Sequence, residues 1–93
     1  MFTKKNYPKI YCKITTHNES NTASVDFYGL LAFKTVNKFL EIKKEKGHKS
    51  ASGYIDLSNM DFVYHFLANE NFIPVSEKFF YREMERRDQL TES

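Results

Sequence analysis

Two segments in the first third of the chain alternate strictly between apolar and polar residues, and this alternation limits the fold more than any other feature. In KIYCKITT (residues 9–16), Ile10, Cys12 and Ile14 fall on one side, and ASVDFY (residues 23–28) repeats the pattern. A period of two is typical of a strand with one buried face. Since a short polar loop separates the segments, the sequence predicts an antiparallel hairpin with Cys12 in the core.

The period becomes helical between Leu30 and Lys46, and Gly47 is expected to end that helix. Its outer side carries charged residues, as in a helix packed on a core. The apolar stripe predicted to face the core consists of Ala32, Phe33, Val36, Phe39 and Leu40.

The second half continues with shorter elements. Residues 54–57 are predicted to form a strand, and a helix with Phe66 and Leu67 on its apolar side is predicted to begin at Ser58. A polar turn at residues 69–71 follows. Because Pro74 lacks a backbone donor, residues 72–75 are predicted to be an extended segment near a sheet edge.

Residues 77–84, EKFFYREM, fit both a strand and a helical stripe, and their closeness to the Pro74 segment favours a strand. The expected fold class is therefore α+β, with an α/β-like order β-β-α-β-α-β-β and two amphipathic helices packed on a small mixed sheet. One domain is expected over residues 9–84, after a lead-in at residues 1–8 and before a polar tail at residues 85–93.

Composition restricts the class of protein further. The 93 residues suit one domain, and 41% hydrophobic and 16% aromatic residues are sufficient for a core. A single cysteine and the lack of a signal-peptide pattern predict a reducing, cytoplasmic location, and no apolar run is long enough for a membrane span.

The charge is unevenly distributed along the chain. Residues 1–49 carry ten lysines against four acidic residues, a net +6, whereas residues 50–93 carry four basic against eight acidic residues, a net −4. Such asymmetry is found where one half faces nucleic acid, where two halves attract each other, or where lysines simply cover a solvated helix face.

The segment GYIDLSNMDFVYHFLANENFIPVSEKFF (residues 53–80), preceded by a helix ending in KKEKG (residues 43–47), resembles the C-terminal part of the GCN5-related N-acetyltransferase (GNAT) fold. The resemblance rests on the order of elements and on aromatic placement over residues 30–84. It implies a reduced GNAT-like architecture and, as an alternative function, an acyltransferase with a divergent acetyl-coenzyme A loop.

Three positions depart from that family. Gly29 alone, followed by bulky residues, replaces the glycine-rich turn that holds the cofactor pyrophosphate in the family. Leu67 stands where many members have a proton-donating tyrosine, and Asn71 stands where the family has glycine. The resemblance therefore implies a relative without catalytic function.

No catalytic, cofactor-binding or metal-binding residues are predicted from the remaining chemistry. His17, His48 and His65 are placed in two loops and on a helix, without the Cys/His spacing of a zinc site. A catalytic role for His65 would need a neighbouring acid or base that the sequence does not locate.

Two groups of residues are instead predicted to contact partners. The first is a basic face for a nucleic-acid or protein partner, with tyrosines such as Tyr7, Tyr11 and Tyr28 as stacking platforms. The second is an aromatic surface for a protein interface or homo-oligomer. The basic residues are Lys34, Lys38, Lys43, Lys44, Lys46 and Lys49, and the interface aromatics are Tyr64, Phe79, Phe80 and Tyr81.

The leading hypothesis from these patterns is a small non-enzymatic protein, of the kind found among phage and mobile-element accessory proteins, that inhibits or modulates a macromolecular partner. The alternatives are the acyltransferase named above and a nucleic-acid-binding module that uses the lysine face.

Overall fold

The alternating segments pair as predicted in the computed structural model, which describes residues 1–5, 10–48 and 54–91, with side chains up to Arg86. The elements are β1 (Phe2–Lys4), β2 (Ile10–His17), β3 (Thr22–Gly29), α1 (Ala32–Glu45), β4 (Tyr54–Asp56), a 3-10 turn (Leu57–Asn59), α2 (Met60–Asn69), β5 (Phe72–Pro74) and α3 (Glu77–Thr91). The predicted α+β class is confirmed.

The strands form one antiparallel sheet in the order β4-β3-β2-β1-β5. Its centre is the β2–β3 hairpin, whose register runs from Ile10 opposite Gly29 to His17 opposite Thr22. Asn21, in the loop between these strands, has a φ of 55°, a left-handed conformation that asparagine adopts more readily than most residues.

One face of the sheet forms the main core together with α1 and α2. Alternate hairpin residues point to this face, so that Cys12 and Phe27 are buried against Phe39 of α1 and Phe66 of α2. The ring of Phe27 lies 5.7 Å from that of Phe39 and 6.1 Å from that of Phe66. The prediction that Cys12 is a core residue is confirmed.

The ends of both core helices follow local signals. Gly47 has a φ of 84°, and the backbone N–H groups of Gly47 and His48 donate to the carbonyls of Lys44 and Lys43, as in a Schellman motif. Asn71 has a φ of 63° after α2, so asparagine performs here the role that glycine commonly has.

The prediction of a strand at residues 77–84 is wrong, because α3 occupies them and continues to Thr91. Ser76 stabilises the start of the helix: its side-chain oxygen accepts a hydrogen bond from the N–H of Phe79, and its carbonyl accepts one from that of Phe80. The predicted polar tail at residues 85–93 is therefore helical as far as Thr91.

Helix α3 packs on the sheet face opposite to the main core. Phe80 is completely buried there, with its ring 5.9 Å from that of Tyr11 and 6.1 Å from that of Tyr28. Tyr11 is buried as a result. The sheet thus has helices on both faces, and three helices are present in the described residues instead of the two that were predicted.

Residues 2–4 were expected to belong to a lead-in but form β1, between β2 and β5. This places β5 at the sheet edge, as the proline at position 74 predicted. In the part of the chain that the structure describes, no helix is long and apolar enough to cross a membrane.

Burial of Cys12 predicts a pH dependence of stability. Desolvation raises the pKa of its thiol from 9.0 to about 12. Above pH 9 the unfolded thiol loses its proton while the folded one keeps it, so the unfolded state binds fewer protons. Stability should therefore fall as pH rises from about 9 to 12, by about 1.4 kcal/mol per pH unit.

The measurement is urea unfolding at several pH values between about 8 and 11, for the wild type and Cys12→Ala. The difference between the two free energies of unfolding removes the contributions of tyrosine and lysine. Equal pH slopes for both proteins would contradict the prediction.

Candidate interaction surface

The two most exposed large hydrophobic side chains of the described residues, Phe33 and Leu30, lie where β3 passes into α1, next to the exposed Leu31. Leu30 is 65% exposed, Leu31 43% and Phe33 77%, and we call these three residues the Phe33 surface. A phenylalanine exposed to this extent gains little from burial within its own domain. Contiguous exposed apolar residues of this kind are a common sign of an interaction site.

Phe33 was predicted to lie on the core stripe of α1, and the structure corrects this. The buried positions of the helix are Thr35, Phe39 and Lys43, spaced four residues apart. Phe33 lies two residues before Thr35, which turns it to a different side of a helix with 3.6 residues per turn. The four-residue spacing of the buried positions is present in the sequence. Two of these positions, Thr35 and Lys43, are polar, so the apolar pattern did not reveal them.

A groove lies between β3 and α1. Its volume is about 450 Å³, and we call it the β3–α1 groove. Phe33, Val36 and Leu40 follow one another at helical spacings of three and four, so the exposed ring lies one turn before the groove wall. The groove is lined by Ser24, Val25, Asp26, Phe27, Val36, Phe39, Leu40 and Tyr54.

Lys43, one of the predicted basic contacts, is only 1% exposed. Its Nζ donates a hydrogen bond to the carbonyl oxygen of Tyr54 at 2.6 Å, which ties α1 to β4. Burial lowers the pKa of this ammonium, and the nearby charge of Asp56 opposes that shift. Lys43 therefore lies outside the exposed basic face.

The other predicted lysines are spread over different parts of the surface. Lys38 forms an ion pair with Glu70, the residue that follows α2, and both border a groove of about 560 Å³ between α1 and α2 together with Lys46. Lys34 and Lys44 are exposed, as are Glu41 and Glu45 of the same helix, and Lys49 lies outside the described residues. The exposed side of α1 therefore carries mixed charge.

The four predicted interface aromatics also differ in their exposure. Phe80 is a core residue, so its assignment to an exposed surface is corrected. Phe79, Tyr81 and Tyr64 are exposed, and the Tyr64 ring lies 6.3 Å from that of Phe2. Tyr81 and Lys13 interact across the second face of the sheet, with the Lys13 ammonium 5.3 Å from the ring centre.

The predicted stacking tyrosines have different surroundings. Tyr11 is buried under Phe80, Tyr28 keeps about a third of its surface exposed, and Tyr7 lies outside the described residues. The neighbouring Tyr81 raises the pKa of Lys13. This arrangement connects Lys13 to α3.

Sequence reasoning did not identify a polar pair on the same face of the sheet. His17 Nε2 lies 2.7 Å from Ser24 Oγ, and the His17 ring packs 5.9 Å from that of Tyr54. A histidine can activate a serine hydroxyl when a third group orients it. Among the hydrogen bonds of the described residues, none joins a carboxylate to His17, and the pair stabilises the β2–β3 hairpin across strands.

His17 lies on β2 and not in a loop, and His65 is exposed on α2 at the rim of the α1–α2 groove. Leu67, the position discussed for a catalytic tyrosine, is buried in the core. The described residues contain no group of three or more His, Cys, Asp or Glu arranged to hold a metal ion.

Comparisons of the chain with protein-family models, with curated proteins and with solved structures found no match.

Proposed function

We propose that this protein works by binding a protein partner through the Phe33 surface, and that it modulates or inhibits the partner by occupying it, without catalysis. The observation that carries the proposal is the 77% exposure of Phe33 beside the exposed Leu30 and Leu31. Aromatic side chains with large exposed area are common anchors of protein interfaces.

The distribution of charge also favours a protein partner over nucleic acid. Phosphate binding needs several cations that act together. On α1, Lys43 is buried, Lys38 is paired with Glu70, and two glutamates share the exposed side. The Phe33 surface consists of apolar side chains, so pairing between opposite charges does not reduce its capacity to bind.

The test is affinity capture from extracts of the source cells with the wild type, Phe33→Ser and Tyr64→Ser. Phe33→Ser should leave the free energy of unfolding within about 0.5 kcal/mol of the wild type, because the side chain is exposed. It should nevertheless lose a partner that the wild type captures in stoichiometric amount. Tyr64→Ser is the matched control, since it removes another exposed aromatic ring and should retain the partner.

Two results would contradict the proposal: equal capture by the wild type and Phe33→Ser, or capture of no stoichiometric partner. Light scattering of the purified protein shows whether a second copy is the partner. A dimer that Phe33→Ser dissociates would identify self-association as the binding mode.

A further inference from the structure

The α1–α2 groove lies between two helices that run in opposite directions. At one end, Lys38 of α1 forms its ion pair with Glu70, the residue that follows α2. At the other end, the ring of His48, shortly after α1, lies 5.2 Å from that of Phe62 in the first turn of α2. The groove volume of about 560 Å³ is within the range of small-molecule sites in proteins, roughly 300 to 1,000 Å³.

The floor of the groove is apolar and rigidly supported. It consists of Ile42 on α1 and of Phe62 and Phe66 on α2. The buried ring of Phe39 lies 5.1 Å from that of Phe66 and 5.4 Å from that of Phe62, so the core holds both rings in place. Ile42 and Phe62 remain partly exposed. A ligand that covers them gains the free energy of burying apolar surface.

The charged residues of the groove stand at its ends and leave one positive charge. Lys38 and Glu70 offset each other. Lys46 is exposed, lines the groove and forms no ion pair with the acidic side chains that the structure describes. A single remaining ammonium is matched by a carboxylate with one negative charge, whereas a phosphate group carries about two.

The dimensions of the groove limit the size of the ligand. Lys38 and Lys46 are eight residues apart on α1, which is about 12 Å along the helix axis. This length accommodates two fused aromatic rings and a carboxylate. Phe33 and Lys38 are five residues apart, a rotation of about 140° around the helix. The groove and the Phe33 surface therefore lie on different sides of α1.

We infer that the α1–α2 groove binds a small aromatic acid, with its rings over Ile42, Phe62 and Phe66 and its carboxylate beside Lys46. The phenylalanine rings of the floor favour an aromatic body, because aromatic rings gain from edge and offset contacts with one another. The Lys38–Glu70 ion pair closes the far end of the groove. This binding site is separate from the Phe33 surface and goes beyond the proposed function.

The probe is naphthoate, titrated into the isotope-labelled full chain and followed by NMR. Nuclear Overhauser effects should connect the naphthoate ring protons with the methyl groups of Ile42 and with the ring of Phe62. Ile73, which is 42% exposed and lies on β5, should show none and is the internal control. Naphthamide has the same rings without the charge, and should bind about fivefold more weakly. Acetate has the charge without the rings, and should cause no shifts at the same concentration.

Two variants of α1 test the role of the charge. Lys46→Gln should weaken naphthoate binding about fivefold, to the affinity of naphthamide, and should leave naphthamide binding unchanged. Lys44→Gln is the matched control. It removes an exposed lysine from the same helix at a position that does not line the groove, and should bind naphthoate as the wild type does.

Several results would overturn the inference. They are no binding at about 10 mM naphthoate, a concentration above the dissociation constant expected for a ligand of this size, and binding without contacts to Ile42 and Phe62. Equal affinities for naphthoate and naphthamide, or equal losses in Lys46→Gln and Lys44→Gln, would exclude the carboxylate site. Phe33→Ser should bind naphthoate as the wild type does, so failure of the proposed function and failure of this inference are distinguishable.

Discussion

Phe80→Ala is expected to lower the free energy of unfolding by about 3 to 5 kcal/mol, the usual cost of removing a fully buried phenylalanine. Phe80 is completely buried between Tyr11 and Tyr28. Among the α3 side chains that the structure describes, Phe80 is the buried one, so the helix should also become less protected. Urea unfolding measures the loss, and the near-ultraviolet circular dichroism of tyrosine reports on the exposure of Tyr11.

Phe79→Ala is the matched control for this experiment. Phe79 is the preceding residue of the same helix and is 41% exposed, so its loss should cost about 1 kcal/mol or less. Equal destabilisation by the two substitutions would show that Phe80 does not hold α3 on the sheet. Amide exchange in α3 should accelerate in Phe80→Ala before exchange in β2 and β3 does.

Phe39→Ala is expected to have an effect of similar size, about 3 to 5 kcal/mol, on the opposite face of the sheet. The Phe39 ring lies 5.1 Å from that of Phe66 and 5.7 Å from that of Phe27. Its removal would leave a cavity at the meeting point of α1, α2 and the hairpin. Because domains of this size are stable by only about 5 to 15 kcal/mol, a substantial fraction of the molecules could unfold at 37 °C.

The control is Phe33→Ala, which removes the same side chain from the same helix at an exposed position. It should change the free energy of unfolding by less than about 0.5 kcal/mol. A cost for Phe33→Ala close to that of Phe39→Ala would mean that the Phe33 surface is buried in solution. That result would also remove the basis of the proposed function.

Several elements could be predicted from short stretches of sequence because their causes are local. The alternation in residues 9–16 and 23–28 placed both strands of the hairpin, since only period two keeps all the apolar side chains on one face. Gly47 and Asn71 marked the ends of α1 and α2 because both can adopt a left-handed conformation. Pro74 indicated an edge strand because it has no N–H to donate.

Other elements could not be predicted in this way. Strand β1 is three residues long and exists because it pairs with β2 on one side and β5 on the other. Residues 77–84 fit both periods, and the cap at Ser76 together with the burial of Phe80 decides for a helix. Lys43 was assigned to the surface by its charge, although its position one turn after Phe39 places it on the buried stripe.

The sequence by itself determined the α+β class, the hairpin, the core face with Cys12 and the boundaries where helices end, because periodicity and backbone conformational preferences act over a few residues. Only the tertiary structure decided that α3 covers the second face of the sheet and that Phe33 is exposed. These features depend on which segments distant in sequence pack together. The proposed interaction surface, with the exposed ring of Phe33, belongs to this second group.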